Sequence, residues 1–272
     1  MSAAQERATR FRVLHAPGEL LLLANCWDAA SARLIESCGA PAVATTSAGV
    51  AWAHGYPDGD ALPTSLLVQA IAEIVRVLSV PLTVDVEGGY SADPAAVGET
   101  IAAVIDAGAA GINIEDGTAP PELLCAKIET AKRVAARAGV DLFVNARTDV
   151  FRGLVPPEQA VAVTIERARR YRESGCDGVF TPGAADPAAI RALVEGIPLP
   201  LNIMVFAGVP SPAQLRELGV RRVSAGSAIA QAAYGLTRRA TAAFLDEGRY
   251  DPMIDGACAY REMNALISAG AA

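Results

Sequence analysis

Short apolar runs alternate with segments of helical periodicity along nearly the whole chain. Several runs are continuously apolar, which is typical of parallel strands that are buried on both faces. The segments between them repeat apolar residues three or four positions apart, as at Leu67, Ile71 and Ile74, and so predict amphipathic helices. The pattern predicts eight strands, at residues 20–24, 42–45, 82–86, 111–114, 142–145, 178–180, 199–203 and 222–224.

Glycine and proline mark the borders of these units. An N-cap residue followed by proline begins a helix at Asp93, Asp186 and Ser211. Eight strand–helix units in about 250 residues predict a (β/α)₈ barrel of the TIM type. A doubly wound open sheet is the alternative, but no GxGxxG follows the first strand. Five glycines between a helix and the next strand suit left-handed C-caps: Gly39, Gly108, Gly139, Gly175 and Gly219.

The C-terminal stretch exceeds what a minimal barrel needs. A long alanine-rich helical pattern begins at residue 227, and a second covers residues 251–272. No linker or low-complexity segment divides the chain. We therefore expect one barrel domain, residues 1–272, whose helical tail of residues 227–272 packs on a neighbouring subunit.

The amino-acid composition argues against several classes of function. Apolar residues make up 52% of the 272 residues, the net charge is −7, and no lysine- or arginine-rich run occurs. These features argue against nucleic acid as a partner and agree with a cytoplasmic enzyme. The N-terminus lacks a signal-peptide core, and no stretch of about 18 apolar residues predicts a membrane helix. Five scattered cysteines without CxxC spacing and only two histidines disfavour a zinc site, a disulfide framework and a Ser-His-Asp relay.

Carboxylates follow the predicted strands on one side of the barrel. Asp58, Asp85, Glu87 and Glu115 come from three neighbouring units, and four converging carboxylates repel one another unless a cation lies between them. Oxygen ligands without His or Cys favour Mg²⁺ or Mn²⁺, with Asp85 as the direct ligand. Because Asp85 and Glu87 lie two apart in a strand, we expect them to share a face. The alternative is a strand-end pair that caps loops or binds Arg147.

Two further strand ends predict anion recognition. Arg147 carries a guanidinium that suits a substrate carboxylate or phosphonate, or alternatively forms a salt bridge to Glu115 or Asp149. The backbone of Ser47-Ala48-Gly49 either presents N–H groups to an anion or forms a tight turn.

An ordered set of motifs resembles the isocitrate lyase/phosphoenolpyruvate mutase superfamily, whose members include carboxyvinyl-carboxyphosphonate phosphorylmutase-like proteins. The matching stretches are TTSAGVAWAHGYPDG, VDVEGGY, GINIEDG and FVNARTD, with weaker matches at PLNIMVFAG and RRVSAGSAI. The resemblance implies a (β/α)₈ barrel whose eighth helix is exchanged between subunits of a homodimer or homotetramer. It also implies Mg²⁺ or Mn²⁺ and a small 2-oxo or 2-hydroxy carboxylate that reacts through an enolate.

Site residues carry over from the resemblance by motif. Asp85 corresponds to the direct metal ligand, and Asp58, Glu87 and Glu115 to ligands that act through water. The expected substrate-binding residues are Trp27, Asp28, Ser47, Ala48, Gly49, Arg147 and Asn202. The expected catalytic groups are Arg147, Glu115, Asp58 and Tyr90.

The chain departs from the family in two places. The usual DxD is Asp85-Val86-Glu87, and EDGTAPPELLCAKIETAK replaces both the lyase Lys-Lys/Arg-Cys-Gly-His loop and the mutase Lys-x-Asn-Ser loop. Cys125 falls within a predicted helix, where it is either a proton donor or a small buried residue. Tyr90 and His54 are the other candidates for the donor.

We therefore expect a Mg²⁺-dependent carbon–carbon lyase of the (methyl)isocitrate lyase or oxaloacetate-cleaving type. One alternative is an enzyme that acts on the P–C bond of phosphonopyruvate. The other is a binding protein that retains the 2-oxo-acid pocket with little catalysis.

Overall fold

The computed structural model describes residues 2–270, in which nine parallel strands form a nearly closed barrel. All eight predicted strands are present, with ends within two residues of the prediction. The first is divided at Ala24, because its first part pairs with the last strand and its second part pairs with the next strand along the chain. The strands are β1 (Leu21–Leu23), β2 (Asn25–Cys26), β3 (Val43–Thr45), β4 (Leu82–Asp85), β5 (Gly111–Glu115), β6 (Phe143–Arg147), β7 (Gly178–Phe180), β8 (Leu201–Met204) and β9 (Arg222–Ser224).

Amphipathic α-helices surround the barrel and cover the outer faces of its strands. The side chains of Asp93, Asp186 and Ser211 accept hydrogen bonds from helix amides, which confirms the predicted N-caps. The helices are α1 (Ala3–Val13), α2 (Ala29–Ser37), α3 (Ser47–Ala53), α4 (Thr64–Val77), α5 (Pro94–Asp106), α6 (Pro121–Ala138), α7 (Ala160–Glu173), α8 (Pro187–Gly196), α9 (Pro212–Glu217), α10 (Ala228–Glu247), α11 (Asp251–Ile254) and α12 (Tyr260–Gly270). Short 3₁₀ helices lie at Val150–Arg152 and Pro157–Gln159.

Helix α1 closes the amino-terminal end of the barrel. Its Phe11 is fully buried and meets Phe143, the first residue of β6, edge to face with 5.6 Å between ring centroids. His15, just beyond the helix, stacks on the same ring at 4.1 Å. Aromatic side chains thus pack into this end, and in barrels of this type the active site lies at the opposite end, at the carboxyl ends of the strands.

Three helices, α10, α11 and α12, follow the last strand. α10 begins one residue later than the predicted tail, and α12 returns to contact α2 and α4 of the same chain. One contact is a 3.0 Å hydrogen bond from Arg33 Nε to the carbonyl of Leu266. Exchange of a helix between subunits stays a prediction. Between residues 2 and 270, no helix has the length and apolar content needed to cross a membrane.

Candidate active site

A cavity of about 300 Å³ lies at the carboxyl ends of the strands. Five of the predicted site residues line it: Ser47, Ala48, Asp58, Asp85 and Arg147. The other lining residues are Asn25, Thr46, Trp52, Asn113, Arg152, Phe180, Met204, Ser224, Gly226, Ser227 and Gln231.

Asp85, the last residue of β4, carries a carboxylate held at the wall of the cavity. Its backbone N–H donates to Thr45 Oγ1 at 2.9 Å, and its Oδ1 accepts the N–H of Glu87 at 3.1 Å. Its Oδ2 accepts no hydrogen bond from a described residue. Burial raises the pKa of Asp85 to about 6, although the positive charge of Arg147 acts in the opposite direction. One carboxylate oxygen is therefore free to bind a ligand.

Glu87 does not continue the strand, so the expectation that it shares a face with Asp85 is wrong. β4 ends at Asp85, and Glu87 adopts a left-handed backbone with φ of 51°. Its Oε2 accepts the N–H groups of Gly59, at 2.7 Å, and of Asp60, while its Oε1 accepts the hydroxyl of Tyr90 at 2.9 Å. Burial raises the pKa of Glu87 and also that of Tyr90. Both polar groups are committed to the loop beside the cavity, and their roles as ligand and catalyst stay predictions.

Arg147 lies between two carboxylates. Nη1 is 2.5 Å from Glu115 Oε2, while Nε and Nη2 donate to the two oxygens of Asp149 at 2.7 and 2.9 Å. Three of the five guanidinium N–H groups are thus engaged, which leaves two for a ligand in the cavity. Arg147 therefore forms both of the salt bridges considered in the sequence analysis and also reaches the site.

Glu115 faces a neighbouring cavity of about 340 Å³ rather than the one that Asp85 lines. Lys127 shares that second cavity and donates to the carbonyl of Gly88 at 2.5 Å. Burial raises the pKa of Glu115 to about 8, against the effect of Arg147. The structure thus separates Glu115 from Asp85, with Arg147 between them.

Four predicted substrate-binding residues are absent from the described residues that line the cavity. Asp28 caps α2, where its side chain accepts the N–H of Ser31 at 2.7 Å. Gly49 lies in α3 so close to Trp27 that an added Cβ would be 2.8 Å from the Cβ of that residue. Asn202 is buried within the barrel. These residues lie outside the cavity lining, and a direct role in binding stays a prediction.

Several lining residues were not predicted from sequence. Asn113 had a usable signal, because it lies two residues before Glu115 in β5, on the same face of the strand, and pairs in register with Asp85. Asn25 joins two elements, since it donates to Thr45 O at 2.8 Å and accepts the N–H of Gly226 at 2.9 Å. Trp52 and Gln231 lie on helices. The sequence pattern does not show that these helices reach the cavity.

The carboxylate oxygens at the cavity suit a hard cation that keeps several of its water ligands. Within residues 2–270, no three His, Cys, Asp or Glu side chains converge closely enough to hold a metal by themselves. Asp85 offers one free carboxylate oxygen, and Asp58 lines the same cavity. Magnesium usually keeps several waters and takes one or two carboxylates, so these two residues could hold it.

Comparisons with known proteins agree with the barrel fold. A family model described as phosphoenolpyruvate phosphomutase matches residues 11–245. An uncharacterized protein of Mycobacterium tuberculosis is 38% identical over 80% of this chain and 81% of its own. The solved structure of a candidate phosphonomutase from Burkholderia cenocepacia is 44% identical, with a TM-score of 0.82 over 87% of this chain and 99% of its own.

Two relatives with assigned reactions are a decarboxylase and a lyase. The oxaloacetate decarboxylase of Paraburkholderia xenovorans is 32% identical over 76% of this chain and 72% of its own. The 2-methylisocitrate lyase of Escherichia coli is 28% identical over 72% and 73%, respectively. The chain therefore belongs to the phosphoenolpyruvate phosphomutase family, within the isocitrate lyase/PEP mutase superfamily.

Proposed function

We propose that this protein is a divalent-metal-dependent carbon–carbon lyase that decarboxylates a small 2-oxo dicarboxylate of the oxaloacetate type. The observation that carries the proposal is the placement of the free oxygen of Asp85 and the two free N–H groups of Arg147 at one small cavity. When bound, Mg²⁺ or Mn²⁺ supplies Lewis-acid stabilisation of developing negative charge. Arg147 holds a substrate carboxylate, and the volume of about 300 Å³ suits a small acid.

The composition of the cavity wall favours decarboxylation over cleavage that needs a protein acid. No Cys, His, Lys or Tyr is among the described residues that line the cavity. Cys125 lies on α6, which packs against α7 in the layer of helices around the barrel, and it is not among the residues that line the cavity. Loss of CO₂ leaves an enolate that water can protonate, so bond breaking needs charge stabilisation rather than a positioned acid. The missing loop is therefore compatible with this reaction.

The test measures pyruvate formed from oxaloacetate with Mg²⁺, after subtraction of a blank that contains the metal without protein. We expect EDTA to abolish turnover and added Mg²⁺ to restore it. Asp85→Asn and Arg147→Met should each lower kcat/KM by about a hundredfold or more. Arg169→Met is the matched control, because Arg169 is exposed on α7 and pairs only with its helix neighbours. Turnover equal to the blank, or unaffected by EDTA, overturns the proposal.

P–C bond chemistry is the second candidate. It is favoured by two arginines, Arg147 and Arg152, at one cavity, and by the 44% identity to a candidate phosphonomutase. Phosphonopyruvate with Mg²⁺, followed by ³¹P NMR, distinguishes it from the lyase by a new phosphorus resonance. Affinity for a 2-oxo acid with no turnover of either substrate would instead support a binding protein.

A further inference from the structure

Arg222 is a buried arginine without an ion pair inside the barrel. It begins β9, is 1% exposed, and forms no salt bridge with any described carboxylate. Its Nη2 donates to Asn113 Oδ1 at 3.1 Å, while Nε and Nη1 have no hydrogen-bond partner among the described residues. The guanidinium also lies over the ring of Phe11, 6.0 Å from its centroid. A buried charge with so few partners destabilises a fold. The hydrogen bond from Arg222 to Asn113, which lines the cavity, points to a role other than stability.

The guanidinium determines which way the amide of Asn113 points. Arginine is only a donor, so the atom that faces Arg222 must be the oxygen of the amide. Asn145 Nδ2 donates to the same oxygen at 2.9 Å, which occupies its second lone pair. The Nδ2 of Asn113 has no partner among the described residues, and Asn113 lines the cavity. The amide N–H groups are therefore available to a molecule in the cavity.

We propose that Asn113 contacts the substrate, donating an N–H to an anionic oxygen of a planar dicarboxylate, and that Arg222 is the positioning residue that orients it. This inference rests on the proposed function for the class of ligand. Asn113 pairs in register with Asp85 on the adjacent strand, so its amide lies beside the carboxylate expected to hold the metal. With Arg147 as the other donor, the site offers N–H groups from two strands to the substrate oxygens.

Oxalate is a suitable probe, because it is a stable planar dianion and its binding does not depend on turnover. Calorimetry with Mg²⁺ would compare the wild type with Asn113→Asp, which keeps the shape but replaces the N–H groups with an oxygen. We expect the affinity for oxalate to fall about tenfold or more. The new carboxylate faces Arg222, so the variant should remain folded. Thr83→Val is the matched control, because Thr83 lies on β4 outside the cavity lining and its buried hydroxyl has no hydrogen-bond partner among the described residues. The affinity of this variant for oxalate should stay within about twofold of the wild type.

A double-mutant cycle tests the role of Arg222. Arg222→Met should weaken oxalate binding in the wild type but have no further effect in Asn113→Ala, because Arg222 acts through Asn113. If Arg222→Met weakens binding equally in both backgrounds, Arg222 attracts the anion directly and the positioning role is refuted. If Asn113→Asp binds oxalate like the wild type, the contact itself is refuted. A wild type that binds oxalate but does not decarboxylate oxaloacetate contradicts only the proposed reaction.

Discussion

His15 should make the stability of the fold depend on pH. Its ring is buried at the amino-terminal end of the barrel, where it stacks on Phe143, and its Nδ1 is 3.0 Å from the carbonyl oxygen of Phe11. Burial lowers the pKa of His15 to about 3, and the positive charge of Arg222 acts in the same direction. The folded protein therefore holds this histidine neutral at pH values where an unfolded chain would protonate it.

The magnitude follows from the two pKa values. An unfolded histidine titrates near 6.5, so between pH 6.5 and about 3 only the unfolded state binds the proton. The contribution of His15 is complete above pH 6.5 and declines as the pH falls, by about 1.4 kcal/mol for each pH unit. Between pH 6.5 and 5 the loss should be about 2 kcal/mol.

Urea unfolding at pH 7 and pH 5 measures this loss. His15→Phe, which keeps an aromatic ring on Phe143, and His15→Gln, which keeps a polar group, should both lack it. Their free energies of unfolding should change by about 2 kcal/mol less between the two pH values than that of the wild type. The comparison between variants cancels the carboxylates that also titrate there. An equal pH dependence in the wild type and both variants would refute the reasoning.

Two further predictions concern polar groups near the site. Cys125→Ala should leave kcat for the proposed reaction within about twofold of the wild type, since Cys125 lies on α6 and is not among the residues that line the cavity; a loss above about a hundredfold would make it the proton donor. Asp116→Asn should lower the free energy of unfolding by about 3 kcal/mol, because its buried Oδ2 accepts from Arg167 and Tyr171 at 2.6 Å each. Urea unfolding with an unchanged midpoint would show that this cluster contributes nothing.

Hydrophobic periodicity predicted most of the strands and helices of the fold. Each predicted strand was found because parallel strands buried on both faces leave an uninterrupted apolar run. The division of the first strand at Ala24 was not visible, since it arises from pairing with β9 on one side and β3 on the other. Helix α1 was missed as well, because its role depends on the fit of Phe11 into the end of the barrel.

Site residues could be predicted from sequence only where the chain continues as a regular strand, in which side chains alternate between the two faces. Asp85 ends a regular strand and reaches the cavity as its position predicts. Glu87 lies beyond the end of that strand and itself has a positive φ, which redirects its carboxylate to loop amides. The direction of the Asn113 amide depends on Arg222, a contact between residues 109 positions apart, so no local pattern could reveal it.

The connection between β5 and α6 contains only residues 116–120. Residues 116–119 line the neighbouring cavity rather than the one that Asp85 lines. In the proposed reaction, the fate of the enolate is a kinetic competition between capture of a proton from water and recombination with the departing fragment. A site that this connection does not cover shifts that competition toward water. The reaction should then run as a one-way release of two small products, and isotope from labelled CO₂ should not exchange back into oxaloacetate.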